Sequence, residues 1–408
     1  MFDSERAFEY LKELAFERQA GAESERRAAE IIAAHLEEFG LKPHFEEFPL
    51  WTFEKGEGWL EVNGRGFPAR PYSLTDPFDV EAEIVFVESV DFVRRSDVEG
   101  RLAVVYQGVN TKDYFRLMEL GVAGIIRISS PHRDIQTGHL SQKAAEEGRI
   151  IPVTSVSYEA GMALLNASRA HIYGDFRRIR SKGLNVIADY GDGDEIVLVT
   201  AHYDTVAYSP GVSDNGGGTA VLIELARGLA ESGRQFRRKV RFIWFSGEEL
   251  GLVGSFAYQK SHRDELRDIV YQVNVDVVGD ALGHNRAIVT ACRRAEGYLK
   301  RMARRVERKF QSRLGVYSSD SVPFALEGIP SFNLVRGGGL PSMHGHTPDD
   351  DLWGAHPRGL EPVLKLASGI VIDMADRPEI PDSLRKINRQ VVGELKDYCD
   401  RRMFCDTI

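Results

Sequence analysis

Cysteine is scarce in this 408-residue chain: three occur, at Cys292, Cys399 and Cys405. That is too few for a disulfide scaffold, and no C-x-x-C pair exists to hold zinc through thiolates. Cys399 and Cys405 are near enough in the tail to pair, but reduced thiols are the expectation. Positive charge is not in excess. Lys plus Arg number 52 against 61 Asp plus Glu, a net charge of −9. That sign argues against a nucleic-acid partner. The one basic run, Lys300–Lys309, alternates charge with apolar residues at helical spacing and reads as a solvated helix face. No apolar run approaches the ~18 residues that span a membrane. The opening residues, MFDSERAFEYLKELAF, lack the basic-then-apolar pattern of a signal peptide. The chain as it stands is expected in the cytoplasm, with no membrane partner. Its oligomeric state stays open.

What is present is the material of a globular protein. Hydrophobic residues make up 43% and charged residues 28%, enough to bury a core. The length suggests more than one domain. Residues 1–40 read as two amphipathic helices, carried by Phe8, Leu11 and Ala15 and then by Ala28, Ile32, Leu36 and Phe39. Gly40 ends the second. Residues 66–175 change character. Short β runs fall at Ile84–Val87, Leu102–Tyr106, Gly124–Ile128 and Ile150–Val156, with helical stretches at Thr111–Leu120 and around Ala160–Leu165. A polar segment of about twenty residues, read as a loop, precedes Ile150. Its part from Asp134 to Gly148 is long enough to overhang a neighbouring cleft.

From about residue 184 the pattern becomes β-α-β. Strands are expected at Asn185–Asp189, Ile196–Thr200, Val240–Phe245, Val270–Val277, Ala287–Ala291 and Ser331–Val335. Helices are expected at Gly217–Glu231, Arg293–Phe310 and Leu360–Ala375. Apolar runs of this length between amphipathic stretches predict an α/β fold, a mixed, mostly parallel sheet flanked by helices. The expected domains are 1–65 with 176–408, interrupted by a small β-rich insertion at 66–175.

The chemistry-bearing residues follow the strands, where open α/β sheets place ligands. His202 and Asp204 follow the first βαβ strand, and Asp214 precedes a glycine run that opens a helix. Glu248 and Glu249 follow Val240–Phe245, Asp276 follows Val270–Val275, and His344, His346 and Asp349 lie near the end. Carboxylates mixed with imidazole suit zinc, manganese or cobalt. Two metals need one anionic ligand to bridge them and terminal ligands on each side. One further carboxylate, free of metal, can act as a general base.

In combination the segments AHYDTV (201–206), GVSDNGGGTAVLIELAR (211–227), WFSGEELGLVGS (244–255), NVDVVG (274–279), SSDSVPFALEGIPSF (318–332) and HTPDD (346–350) closely resemble the M28 family of co-catalytic metallo-aminopeptidases. GRLAVVYQG and GVAGIIRI give the insertion a looser resemblance to the protease-associated (PA) domain found in many members. The resemblance implies a di-zinc exopeptidase fold and hydrolysis of peptide substrates. It implies that His202 and Asp276 bind one metal, Glu249 and His346 the other, and that Asp214 bridges them. Two divalent ions are implied, zinc by preference, with cobalt or manganese as alternatives. Glu248 would be the general base, and Asp204 would hold the His202 ring.

His344 competes with His346 for the last ligand place, and the family's HT-x-x-D pattern favours His346. His356 is expected at the surface, and His284 is expected to be structural. Three other readings stand beside aminopeptidase. A glutaminyl cyclase shares the fold but works with a single zinc. A carboxypeptidase or dipeptidase shares the ligands, and Arg336 would then meet a substrate carboxylate or else be structural. A non-catalytic, receptor-type relative would have lost ligands, and here none is lost.

Overall fold

The computed structural model describes residues 1–106, 108–131 and 134–402; Cys405, and with it the question of pairing in the tail, lies outside them. The chain divides into two compact units. The larger comprises residues 1–48, 182–205 and 209–396, and the smaller centres on 49–181.

The larger unit is built on an eight-stranded sheet. Its order is His44–Glu54, Arg177–Tyr190, Lys239–Phe245, Ile196–His202, Ile269–Val275, Ser331–Gly337, His284–Thr290 and Gln311–Leu314. The four central strands, Lys239–Phe245 to Ser331–Gly337, run parallel. Antiparallel pairs flank them, Arg177–Tyr190 on one side and His284–Thr290 on the other.

The central strands are apolar throughout because both faces are covered. In Ile196–His202, Val197, Val199 and Ala201 point into the main core while Ile196 and Leu198 point into a second one. This is the two-residue period of a strand with no solvent face. Helices Ser4–Glu13, Gly217–Ser232 and Pro357–Asp376 pack on one another on the first side. The second core includes Tyr258, from helix Val253–Ser261, and Phe324, from Val322–Leu326. Trp244 is fully buried and donates its indole N–H to the Thr219 carbonyl at 3.2 Å. Burying a large apolar side chain of this kind contributes about 2–3 kcal/mol.

Helix Arg293–Arg305 stops short of the expected Phe310. The chain turns at Glu307, in the left-handed region (φ 54°), and continues into the edge strand Gln311–Leu314. The tail forms a further helix, Arg389–Arg402. Among the described residues no helix is long and apolar enough to cross a membrane.

The smaller unit is a closed seven-stranded barrel in the order Gly58–Val62, Arg65–Pro71, Val153–Val156, Gly124–Ile128, Leu102–Tyr106, Phe78–Phe86 and Arg169–Gly174. Leu60, Leu102, Val104, Ile126 and Ile172 fill its interior. Its first strand precedes residue 66, where the sequence pattern places the start of the insertion. That strand is joined to the next by Asn63-Gly64, both at positive φ (51° and 72°), as a tight hairpin turn requires. The stretch read as a twenty-residue loop contains a helix, Gln142–Glu147. Ser141 caps its start and Gly148, in the left-handed region, ends it.

Candidate metal centre

The side chains singled out by the sequence converge at the C-terminal ends of the central parallel strands. His202 is the last residue of its strand, and Asp276 directly follows Val275. Glu248 and Glu249 lie just beyond Phe245. Asp214 sits in the turn that leads into helix Gly217–Ser232, and His346 follows strand Ser331–Gly337.

The glycines explain how that helix approaches so closely. A Cβ on Gly217 would fall 1.7 Å from the Val278 carbonyl oxygen, and one on Gly218 would fall 2.5 Å from that of Val275. Any side chain there would push the helix off the strand that delivers Asp276.

Asp214 stands between two groups of donors. His202 Nε2 lies 3.1 Å from Asp214 Oδ1 and 3.2 Å from Asp276 Oδ1. On the other side His346 Nε2 lies 3.4 Å from Asp214 Oδ2 and 3.2 Å from Glu249 Oε2. Each group of three offers ligand atoms within 4.8 Å of one another. His344 is not part of this; its Nδ1 faces Asp349 at 3.5 Å. His356 caps a helix through Nδ1, which accepts the Arg358 N–H. Arg336 donates to the Asp280 and Ala281 carbonyls and to Asn285, which commits it to holding the backbone.

Asp204 is fully buried and does two things. Its Oδ1 lies 3.5 Å from His202 Nδ1, and its backbone carbonyl is nearer, at 3.2 Å. Its two carboxylate oxygens accept the backbone N–H groups of Glu248 and Glu249, each at 3.2 Å. The Glu-Glu pair is thereby aimed by a residue expected only to orient the imidazole.

The electrostatics call for a cation. Burial disfavours charge on His202, yet the carboxylates of Asp276, Asp204 and Asp214 outweigh it and hold its pKa well above the ordinary value. His346 is raised in the same way by Glu249 and Asp214 against burial. Glu248 is pushed up first by burial and then by Glu249 and Asp276. Glu249 Oε1 is buried with no hydrogen-bond partner, a costly state unless something charged meets it. Two imidazoles and three carboxylates in an acidic pocket, buried at His202, Asp276 and Glu249 and partly open at Asp214 and His346, fit zinc.

Four supporting residues escape sequence reasoning. Arg18 is fully buried. Its guanidinium donates to the carbonyls of Tyr203 (2.6 Å), Pro210 (2.7 Å) and Gly211 (2.9 Å), and also to Leu14 and Phe16. Arg18 therefore ties together the segments bearing His202 and Asp214. The Asp350 carboxylate accepts the N–H groups of Ser213 and Asp214. Asp320 is fully buried, and burial pushes its carboxyl up to about 7. Burial and the carboxylates of Asp276, Asp214 and Glu248 push the Tyr317 hydroxyl well up, keeping it a neutral donor. Asp350 and Asp320 lie in the quoted motifs, but a motif does not say what a buried carboxyl holds.

The family model for peptidase family M28 matches residues 185–371. That segment is similar to the M28 peptidases. The chain is 27% identical over 399 residues to "Aminopeptidase YwaD" of Bacillus subtilis, covering 92% of the chain and 85% of that relative. It is 28% identical to an aminopeptidase of Pseudomonas aeruginosa, of which it spans about half (54%). The fold is similar to a zinc aminopeptidase of Bacillus subtilis, with a TM-score of 0.75, 24% identity, and 96% and 99% of the two chains covered. It is also similar to an aminopeptidase from Aneurinibacillus, with a TM-score of 0.76, 21% identity, and 93% and 96% covered.

Proposed function

We propose that this protein is an M28-type, two-zinc aminopeptidase that removes N-terminal residues from peptides. The observation that carries the reading is Asp214, whose two oxygens face two separate histidines. His202 and Asp276 would hold one ion, His346 and Glu249 the other, and Asp214 would be shared. Zinc bound there supplies Lewis-acid polarisation of the scissile carbonyl and acidifies water.

The remaining roles belong to the chain. Glu248, adjacent to a ligand but outside both groups of three, takes the proton of the attacking water and passes it to the leaving amine. A raised carboxyl pKa suits both halves of that task. Asp204 holds Glu248 by its backbone and the His202 ring by its Nδ1 side, so one carboxyl aligns base and ligand. The carboxyl groups left over once the ions are held, Asp204 and Asp320 among them, favour a substrate's terminal ammonium over a terminal carboxylate. Arg336, spent on backbone carbonyls, supports that polarity. For the barrel unit we retain the PA-like reading, because it is a closed barrel with its own core and carries none of the proposed ligands.

Hydrolysis of a panel of aminoacyl anilides beside their N-acetylated counterparts, with zinc counted in the same samples, tests the proposal. Cleavage of free-amine substrates alone, with two zinc ions per chain, is expected. One tightly held zinc with release of pyroglutamyl peptides would favour the cyclase reading instead.

A further inference from the structure

Apart from the metal centre, the larger unit carries a second concentration of functional groups, on helix Arg293–Arg305. A cavity of about 580 Å³ is lined by four guanidinium groups, those of Arg294, Arg301, Arg305 and Arg377, and by a single carboxylate, Asp373. Arg294, Arg301 and Arg305 recur at i, i+7 and i+11, so one helix face presents all three. Gly297 lies between them on that face. A Cβ there would meet only Arg301 Nη1, at 3.7 Å, within 4 Å, so glycine keeps the wall open.

Neighbouring cations are satisfied. Lys300 pairs with Glu296 at 2.7 Å and Arg308 with Glu361 at 2.6 Å. The lining carboxylate is spent as well, since Asp373 Oδ2 accepts from Tyr298 at 2.7 Å and from Arg377 at 2.6 Å. Among the described residues, no side-chain hydrogen bond or ion pair engages Arg294, Arg301 or Arg305, all three exposed. Arg377 Nε is buried with no hydrogen-bond partner. A protein with a net charge of −9 thus gathers four arginines around one concavity, three of them exposed and without a side-chain partner.

We propose that this cavity binds a small polyphosphate, a ligand with two or more linked phosphate groups. Guanidinium forks match phosphate oxygens in pairs, and several forks around one hollow suit several linked charges better than a lone anion. The bound anion supplies the acceptors that Arg294, Arg301 and Arg305 lack. A long nucleic acid fits less well, because the acidic remainder of the surface repels an extended polyanion. The aromatic ring at the site, Tyr298, is buried and unavailable for stacking on bases.

The test is calorimetric titration of the full chain with tripolyphosphate, run in parallel on wild type and on Arg301→Gln/Arg305→Gln. The metal centre is common to both, so any chelation of zinc by the probe appears equally in each. Wild type is expected to bind one tripolyphosphate, and the double variant to bind it at least about 10-fold more weakly. Wild-type affinity should also fall steeply between about 50 and 200 mM NaCl. Zinc content and the Tm without ligand should match in the two proteins. If the double variant misfolds, Arg294→Gln alone serves, with a smaller loss expected. Equal binding by wild type and variant, no binding by wild type, or tighter binding of a single-stranded oligonucleotide than of tripolyphosphate would each overturn the proposal.

Discussion

Asp350 holds Asp214 in place by its backbone: the Asp350 carboxylate accepts the Asp214 N–H at 3.0 Å, and the Ser213 N–H at 2.8 Å beside it. The residue proposed to serve two ions thus has its main chain fixed by a carboxylate that belongs to neither group of donors. Asp350→Ala strands two N–H groups and should cost ~2–4 kcal/mol. Bound zinc should fall well below that of wild type by elemental analysis. Asp350→Asn, which keeps one acceptor, should lie between. Full zinc content in Asp350→Ala would remove Asp350 from the account of the site.

Glu248 and Glu249 are neighbours assigned to different tasks. Glu248→Gln should keep zinc and lose turnover by ~10²–10⁴-fold. Glu249→Gln should lose zinc from one side and turnover with it. Metal content and kcat on the same preparations separate the two, and the reverse pattern would mean that the roles are exchanged.

Arg18 should matter far beyond its own helix. Arg18→Met removes the guanidinium that donates to the carbonyls of Tyr203, Pro210 and Gly211. By urea titration we expect a loss of ~3–5 kcal/mol, the scale of breaking a buried charged network. Zinc affinity should weaken because the segments of His202 and Asp214 lose their common anchor. An unaltered unfolding midpoint would argue against the clamp.

Glu25 gives stability a pH dependence. It is buried, accepts the Leu184 N–H at 3.0 Å and the Gly21 N–H at 2.6 Å, and burial pushes its carboxyl up to about 7. An unfolded chain titrates this group near ~4.3. The folded state therefore binds the extra proton between these values. The stability from this group is complete below about 4.3 and is lost as pH rises through about 7. Glu25→Gln removes the titration. The difference in unfolding free energy between variant and wild type should shift in the variant's favour by ~3 kcal/mol from pH 4 to pH 8. A difference that is flat with pH would contradict this.

The sequence made the central strands and the five donors legible for one reason. Strands buried on both faces must be apolar without interruption, so His202, Glu248, Glu249 and Asp276 stand out where each run ends. What it hid falls into two kinds. The hairpin Gly58–Pro71 carries a readable Asn63-Gly64 turn, but Gly66, Pro68 and Pro71 disguise its second strand as a linker. Arg18 and Asp350 act through backbone groups of residues 136 or more positions away. No local pattern marks such a contact. The Glu-Glu pair shows the same limit. Its adjacency is visible, whereas its anchoring by Asp204 depends on how two strand ends meet.

The Asp214 turn is secured from both directions along the chain, by Arg18 at Gly211 and by Asp350 at Ser213 and Asp214. During translation, residues near the start are made first and must wait for those near 350. A nascent chain that has emerged only through helix Gly217–Ser232 already contains His202 and Asp214, yet lacks His346 and the carboxylate that steadies the turn. The proposed site is thus incomplete on the ribosome until the segment around residues 346–350 has been made, and metal loading belongs after that point in synthesis.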